Sequence, residues 1–486
     1  MVKKLTILFA ILAAVLTSCT YKPGISHISE NLSPNLDLII KRGKLVAITD
    51  YNSINYFIYK GEPMGFNYEL LKAFTDHLGV DLEIVTENQI NHALNILNSG
   101  EADLLAFGLT VNSTRKKEML FTDPIAETRQ VLVQRKPRNW RSITEEAAEK
   151  HLIRNQIDLA HKSVYVQANS AHSERLRALS NEIGDSINII EVPYDSEELI
   201  KDVAKGEIDY TVCDENIAMV NLTYYPGIDI STPVSFMQNI AWGLPKNNSG
   251  QLLAELNKWI ASYRRTGSYA LLYAKYFRNS RSETIVKSDY YYINTGKISQ
   301  WDDMIKSAST RINWDWRLLA SLICQESRFD PDVESRVGAY GLMQIMPVTG
   351  KNYGIDITAS PSDNIKAGTM YINRLQSIFE SKITDPQERI KFILASYNAG
   401  PGHVLDAIKL AGKNGMNPEK WDGNVAVWLL KKSEPKYFND SVVKNGYFRG
   451  TESVNFVTEV LERYDHYRNI IPEEARLSMA SKTGNR

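Results

Sequence analysis

The chain has little of what marks a metalloprotein, a nucleic-acid-binding protein or a disulfide-stabilised protein. Its 486 residues include three cysteines and eight histidines. The histidines are scattered and form no His-Glu-x-x-His motif, so we expect neither a metal site nor a cofactor. The net charge is −1 and no long basic run occurs, which gives no indication of nucleic-acid binding. The length predicts two to four domains, each large enough for its own core.

The N-terminus has the composition of an export signal. Lys3 and Lys4 precede an apolar run over residues 5–16, which is too short for a permanent membrane-spanning helix. The run ends in Leu-Thr-Ser-Cys at residues 16–19, which resembles the lipoprotein box of bacteria. That resemblance implies cleavage before Cys19, acylation of Cys19 and anchoring to a membrane. Thr20 resembles the sorting pattern for the periplasmic side of the outer membrane. The alternative is an ordinary signal peptide with an incidental cysteine.

Residues 1–18 are therefore predicted to be a signal peptide, and the polar, proline-containing residues 19–42 a tether. Two other cysteines remain, Cys213 and Cys324, one in each half of the chain. A disulfide between them would have to cross domains, so we expect both to be reduced, packed thiols.

The front half alternates strands with helices, which predicts a parallel sheet in an α/β lobe. The alternation restarts after Pro137. We therefore expect two α/β lobes, with the second inserted into the first. The predicted strands are 44–49, 82–85, 104–107, 163–166, 188–192, 208–213 and 240–244.

Candidate chemistry lies in the C-terminal half, at Glu326. Leu319, Leu322 and Ile323 precede it at helical spacing, so Glu326 continues an apolar stripe. A carboxyl group at the inward end of such a stripe loses hydration, and its pKa rises toward the range of a general acid. The alternative is that Glu326 ends the helix, faces solvent and pairs with Arg328.

A second constellation follows downstream. Gly338 and Gly341 bracket a short loop, where glycine allows backbone to approach a ligand. Another helical stripe ends with Tyr397 pointing inward, and Gly400 followed by Pro401 predicts the end of that helix. Two inward-facing polar groups thus end two apolar stripes.

These segments resemble the ordered motifs of the soluble-lytic-transglycosylase domain, which implies a helical, lysozyme-like fold. Together with the front half, the chain resembles the membrane-bound lytic murein transglycosylase F family. The residues that carry the resemblance are Glu326-Ser327, 341–347, 395–402 and Glu452 with 456–464.

The resemblance implies cleavage of the β-1,4 bond between N-acetylmuramic acid and N-acetylglucosamine in peptidoglycan glycan strands. Glu326 would protonate the leaving oxygen and then act as base toward the six-position hydroxyl of the same muramic acid, closing a 1,6-anhydro ring. Tyr397 would hydrogen-bond to Glu326 and hold it. By matching motif positions, the residues lining the sugar groove would be Ser335, Gln344, Met346, Tyr397 and Asn398.

The front half contains Gly-Glu-Pro-Met-Gly-Phe at residues 61–66, Gly-Glu-Ala-Asp at 100–103, Gly-Leu-Thr at 108–110 and Gly-Glu-Ile-Asp-Tyr at 206–210. With these motifs it resembles the family 3 extracellular solute-binding proteins, which are two-lobed receptors for amino acids. In that family the arginine matching Arg115 binds a ligand carboxylate, and the aspartate matching Asp214 receives the ligand ammonium group. Thr110 and Ser170 would complete the site. Two alternatives remain: Arg115 opens a solvated Arg-Lys-Lys run, or Asp214 only caps a helix. Asn112 departs from the usual threonine, so the ligand stays undefined as an amino acid or a muropeptide.

The predicted architecture is a two-lobed α/β domain over 43–278, a linker over 279–298, an all-α-dominated lysozyme-like domain over 299–470 and a polar tail over 471–486. The predicted function is that of a lytic transglycosylase in which the front domain regulates or positions the enzyme. Two rivals remain: a lysozyme-type hydrolase, and an amino-acid-binding lipoprotein whose second domain only grips the wall.

Overall fold

The computed structural model describes residues 36–277 and 296–471, and the predicted lipidation site Cys19 lies outside these ranges. The front domain contains thirteen strands and nine α-helices within the described residues. The strands are β1 Lys44–Thr49, β2 Phe57–Tyr59, β3 Glu62–Met64, β4 Asp81–Thr86, β5 Leu104–Thr110, β6 Leu120–Phe121, β7 Ala126–Thr128, β8 Gln130–Arg135, β9 Ser163–Gln167, β10 Asn188–Val192, β11 Tyr210–Asp214, β12 Ile228–Pro233 and β13 Gln238–Leu244. The helices are α1 Leu36–Arg42, α2 Phe66–Leu78, α3 Ile90–Ser99, α4 Glu145–Glu149, α5 Ala171–Ile183, α6 Ser196–Lys205, α7 Glu215–Tyr224, α8 Gly250–Tyr263 and α9 Gly267–Phe277.

The first lobe is built on a six-stranded sheet in the order β4-β1-β5-β13-β6, with β7 also paired to β13. Strands β4, β1 and β5 are parallel, as predicted, because helices α2 and α3 connect them. Strand β13 returns after the whole second lobe and pairs antiparallel with β5. The predicted insertion of the second lobe into the first is therefore correct.

The second lobe is built on a five-stranded sheet in the order β10-β9-β11-β8-β12. Its first strand, β8, ends at Arg135 and therefore precedes Pro137, after which the alternation of strands and helices restarts in the sequence. Strand β8 pairs antiparallel with both β11 and β12, so this sheet is mixed, and a purely parallel sheet was a wrong expectation. An apolar run such as Val131 to Val133 has no helix next to it in sequence, and the alternation of strand and helix therefore does not reveal it.

The folded front domain begins earlier than predicted. Helix α1, Leu36–Arg42, lies inside the segment assigned to the tether. Its Ile39 is fully buried in the core of the first lobe with Leu45 and Phe74. The tether prediction is therefore wrong for residues 36–42, since burial of an apolar side chain fixes them to the lobe.

The back domain is helical in its described residues, as predicted. One hydrophobic core joins its helices, and Leu319, Phe392 and Leu410 are among its buried members. The prediction that Cys213 and Cys324 are reduced, packed thiols is confirmed, since both are buried and neither forms a disulfide. The helices are α10 Asp302–Arg311, α11 Trp316–Ser327, α12 Pro347–Asn352, α13 Pro361–Phe379, α14 Pro386–Ala399, α15 Pro401–Lys413, α16 Ala426–Lys431, α17 Pro435–Phe438 and α18 Thr451–Ile470.

Helix α18 contacts both domains. It packs on α11 of the back domain, where the Ser321 hydroxyl donates to the carbonyl of Val460 at 2.6 Å. Its C-terminal part lies against the front domain, where the Tyr467 hydroxyl donates to the carbonyl of Gly61 at 2.7 Å and Asn469 Nδ2 donates to the carbonyl of Ile84 at 2.5 Å. Thr86 Oγ1 donates back to the Asn469 carbonyl at 2.9 Å. The end of α18 thus covers part of the exposed edge strand β4.

The hairpin β2–β3 is the front domain's main contact with the helix α11. Gly61, at its turn, has a φ of +77°, and a Cβ there would lie 2.6 Å from Phe329 and 2.8 Å from the sulfur of Cys324. Next to it, Arg463 donates to Glu62 at 3.1 Å and to Gln325 Oε1 at 2.9 Å. The hairpin, α18 and α11 therefore form one packed contact.

Candidate active site and ligand cleft

Glu326 lies in the last turn of α11, a helix that is buried on nearly all sides. Asp315 caps its N-terminus by accepting from the Arg317 backbone N–H at 3.0 Å. Every residue from Trp316 to Cys324 is buried, so the predicted stripe is part of a wider apolar surface. Packing on all sides fixes the direction in which the Glu326 carboxyl points.

Burial raises the pKa of Glu326 to about 8, and the negative charge of Glu452 is the second, smaller cause. The carboxyl is therefore mostly neutral at pH 7 and has a proton to donate. Arg328 is exposed and ends the helix at a left-handed φ of 51°. No ion pair joins it to Glu326 among the described residues, so the solvent-facing alternative is wrong.

Glu452 is the functional candidate that the sequence did not single out for a role. In the sequence Glu452 is only one member of a motif. In the structure it lies in the first turn of α18, and its negative charge raises the pKa of Glu326. The next residue, Ser453, donates its hydroxyl to Asn398 Oδ1 at 2.5 Å. Only the packing of α18 onto α11 brings this carboxylate close, and no local spacing in the sequence signals it.

Tyr397 points inward from α14, as predicted, and burial together with the negative charge of Glu326 raises the pKa of its hydroxyl. Its hydroxyl, however, donates to the carbonyl of Met343 at 2.8 Å. The predicted hydrogen bond from Tyr397 to Glu326 is therefore not the one that forms. A buried carbonyl of the glycine loop needs a donor, and Tyr397 supplies it.

The loop between α11 and α12 is held by its own side chains. Gly341 has a φ of +77°, and a Cβ there would lie 2.5 Å from Asn364, so glycine is required at this turn. Gln344 Nε2 donates to the carbonyls of Val333 at 2.9 Å and Gly341 at 3.0 Å. Ser335 Oγ accepts from the Ala339 N–H at 2.9 Å. Both predicted groove residues thus shape the loop.

The other two predicted groove residues are open to solvent. Met346 is 38 % exposed and caps the start of α12. Asn398 is exposed near the end of α14, where Ser453 fixes its side chain. Through Tyr397 and Asn398, α14 connects the loop to the N-terminus of α18, which carries Glu452. Glu326 lies next to both Tyr397 and Glu452.

In the front domain, all four predicted ligand residues line one cavity of about 100 Å³ between the lobes: Thr110, Arg115, Ser170 and Asp214. Arg115 is only 7 % exposed, so its placement on a solvated face is wrong. Asp214 does precede helix α7, but its side chain makes no capping hydrogen bond. It instead lies 3.5 Å from His172 Nε2.

The cleft is closed by contacts between the lobes. Asn112 Nδ2 of the first lobe donates to Glu174 of the second at 2.6 Å. Asn88 Nδ2 donates to Asp195 at 3.1 Å, and Gln167 Nε2 donates to the Asn88 carbonyl at 2.9 Å. Asn112, which replaces the threonine usual in the resembled family, thus forms one of these cross-lobe bonds.

Comparison with known proteins agrees with this two-part arrangement. The profile of the bacterial extracellular solute-binding proteins, family 3, matches residues 44–279, and that of the transglycosylase SLT domain matches residues 303–419. The membrane-bound lytic murein transglycosylase F of Desulfosudis oleivorans is 35% identical over 429 residues, which cover 88% of this chain and 90% of that protein. The chain belongs to this family.

The transglycosylase F of Saccharophagus degradans is 30% identical over 460 residues, covering 94% of this chain and 86% of its own. Among solved structures, the holo form of ArgBP from T. maritima is 23% identical and covers 49% of this chain and 97% of its own, with a TM-score of 0.40. The predicted family, fold class and enzyme class, a peptidoglycan lytic transglycosylase with a solute-binding-like domain, are confirmed. None of the helices in the described ranges is both long and apolar enough to cross a membrane.

Proposed function

We propose that Glu326 is the single acid and base of a lytic transglycosylase reaction on the β-1,4 bond between N-acetylmuramic acid and N-acetylglucosamine. The observation that carries this proposal is the half-buried carboxyl group of Glu326, whose desolvation raises its pKa to about 8. A carboxyl group that keeps its proton at neutral pH is suited to protonate a leaving oxygen.

The reaction balances without water. Glu326 gives its proton to the glycosidic oxygen, the bond from that oxygen to C1 of the muramic acid breaks, and N-acetylglucosamine leaves with a free hydroxyl. The Glu326 carboxylate then takes the proton of the C6 hydroxyl, whose oxygen bonds to C1 and closes the 1,6-anhydro ring. Because the nucleophile belongs to the substrate, the protein needs mainly to position it.

The groove residues have positioning roles in this proposal. Ser335 and Gln344 keep the loop in shape through their backbone contacts, so that loop atoms face the sugar. Tyr397 supports the same loop through Met343. The exposed side chains of Met346 and Asn398 contact the glycan directly.

The test is to digest purified peptidoglycan with the protein starting after Cys19 and to weigh the fragments by mass spectrometry. We expect anhydro-muropeptides from the wild type and none from Glu326→Gln. Fragments heavier by one water would identify a lysozyme-type hydrolase. Glu452 would then be its second carboxylate, because its charge acts on Glu326.

We further propose that the front domain binds an amino acid or a muropeptide and thereby regulates cleavage. Two hydrogen bonds support this. Arg463 donates both to Glu62 of the hairpin β2–β3 and to Gln325, the neighbour of Glu326. A ligand that favours one lobe arrangement would bias this contact. If wall-turnover peptides bind the protein but leave its rate on peptidoglycan unchanged, the front domain only positions the enzyme.

The membrane anchor is also a proposal. Residues 16–19 support acylation of Cys19 and attachment to the periplasmic face of the outer membrane. Detergent-phase partitioning of the full chain expressed in bacteria tests it. We expect the wild type in the detergent phase and Cys19→Ser in the aqueous phase.

A further inference from the structure

The cavity between the lobes carries an excess of negative charge. Four carboxyl groups line it, from Asp50, Asp195, Glu197 and Asp214, and the only lysine or arginine among its lining residues is Arg115. A ligand with one carboxylate and one ammonium group would pair with Arg115 and Asp214 and would leave this excess unchanged. The remaining carboxyl groups therefore point to a further positive charge on the ligand.

Two of these carboxyl groups have only neutral hydrogen-bond donors. Asp50 accepts from the amide groups of Asn52 and Asn55, the latter at 2.9 Å. Glu197 accepts from the Ser53 N–H at 3.1 Å and from Asn221 Nδ2 at 3.2 Å. Neither forms an ion pair with a described residue. Burial raises the pKa of both groups to about 7, as expected for carboxyl groups without a cation nearby.

Asp195, by contrast, already has a structural role. It caps helix α6 by accepting from the N–H groups of Glu197 and Glu198, each at 3.0 Å, and it also accepts from Asn88. The uncompensated pair is therefore Asp50 and Glu197. Asp50 follows β1 in the first lobe and Glu197 lies in the first turn of α6 in the second, so closure of the cleft brings two acids together.

Independent features of the same cavity indicate a polar ligand. His172 is nine-tenths buried and lines the cavity, and within the described part of the chain its Nδ1 has no hydrogen-bond partner. The buried Arg115 guanidinium has a hydrogen bond of 3.3 Å to the Thr110 carbonyl but no ion pair within the described residues. A buried polar atom without a partner is costly, so both groups have capacity for ligand atoms.

We propose that the closed cleft takes an α,ω-diamino acid, with its distal ammonium group between Asp50 of the first lobe and Glu197 of the second. This inference rests on the proposed ligand-binding role of the front domain. The ligand's α-carboxylate faces Arg115 and its α-ammonium group faces Asp214. The distal ammonium group then replaces a like-charge contact across the cleft with two attractive ones, so it favours the closed arrangement.

The test compares L-lysine with L-norleucine, which has the same carbon chain without the distal ammonium group. Isothermal titration of the protein starting after Cys19, at pH 7, is expected to give about 30-fold tighter binding of L-lysine, the difference typical of one hydrogen bond to a charged group. L-lysine binding is also expected to release protons, seen as a buffer-dependent enthalpy, because the cation lowers the pKa of Asp50 and Glu197.

Variants show whether the two acids are responsible. Asp50→Asn and Glu197→Gln are each expected to reduce the preference for L-lysine and the proton release, and the double variant to abolish both. Glu198→Gln is the matched control, since it removes a neighbouring exposed carboxylate that does not line the cavity, and it is expected to bind as the wild type does.

The other outcomes contradict either the diamino acid as ligand or amino-acid binding by the front domain. Equal or tighter binding of L-norleucine to the wild type, or an unchanged preference in the double variant, overturns the diamino acid while leaving a ligand-binding front domain. Binding of neither amino acid overturns the diamino acid and argues against the front domain as an amino-acid receptor. Cleavage of peptidoglycan by Glu326 is measured separately from all of these.

Discussion

The molecule contains two places where half-buried carboxyl groups have raised pKa values, and they are built differently. Glu326 lies on a single helix whose other side chains are packed in one core, and its pKa is about 8. Asp50 and Glu197 come from two different lobes and approach each other across the closed cleft, and the pKa of each is about 7. Burial raises the pKa in both places, but only at Glu326 does one rigid element supply the geometry.

This difference matches the two proposed roles, a catalytic acid at Glu326 and a ligand contact at Asp50 and Glu197. A reacting group must keep its position while the substrate changes, which a packed helix provides. A ligand site whose groups come together only when the lobes close is different. Ligand binding then stabilises the closed arrangement of the lobes over the open one. The following substitutions act on one side of this comparison at a time.

The largest expected effect is that of Glu326→Gln. The amide cannot donate and recover a proton as the acid does, so cleavage of peptidoglycan should fall by about a thousandfold, within the usual range for general acid–base catalysis. The turnover rate on purified glycan strands measures this loss. Asp332→Asn is the control, since Asp332 is an exposed carboxylate of the neighbouring loop, and it should leave the rate within a few-fold of wild type.

The next effect is on the ligand cleft. Arg115→Ala removes the only guanidinium that lines the cavity and should weaken L-lysine binding by about 30-fold or more, as when one partner of a buried charge pair is lost. The neighbouring Lys117 is exposed, so Lys117→Ala should not change the affinity. Titration calorimetry measures both, and a similar loss in the two variants would contradict a specific role for Arg115.

A smaller effect is expected on the pH dependence. Glu326 acts as an acid only while protonated, so kcat/KM should be level below about pH 8 and fall tenfold per unit above it. Glu452→Gln removes a negative charge that raises the pKa of Glu326, and the fall should therefore begin at lower pH. An unshifted profile would contradict this coupling. Loss of activity at every pH, in a variant that remains folded, would instead make Glu452 a second catalytic carboxylate.

The smallest effect is expected at the domain contact. Glu62 is 42% exposed at its side chain and Arg463 is 11% exposed, so the pair should contribute about 1 kcal/mol after discounting for solvent screening. A double-mutant cycle of Glu62→Ala and Arg463→Ala, followed by chemical denaturation, measures this coupling. Coupling near zero would mean that the ion pair does not hold the hairpin, which would leave its apolar packing and the hydrogen bond from Tyr467 to Gly61.

The sequence predicted those parts of the fold and the site that depend on local spacing. Helical periodicity correctly oriented Glu326 and Tyr397, and the alternation of strands and helices located β1 and β10 to the residue. The motif resemblance assigned Arg115 and Asp214 to one ligand site, and in the structure both residues line the same cavity.

The features that the sequence did not reveal depend on contacts between distant segments. Strand β8 was missed because its partners lie about 80 and 100 residues downstream. The proximity of Glu452 to Glu326 follows from the packing of α18 on α11, and the bond from Tyr397 to Met343 follows from the approach of α14 to the loop after α11. The approach of Asp50 to Glu197 exists only because the two lobes close.

The hairpin turn at Gly61 limits how the two domains can be recombined. A side chain at this position would collide with Phe329, Cys324 and the hydroxyl of Tyr467. The front domain therefore contacts the back domain here through the backbone of the turn. A solute receptor from another protein, grafted in its place, would need both a side-chain-free turn here and a carboxylate at the position of Glu62. The front domain and the transglycosylase domain are thus fitted to each other at this turn.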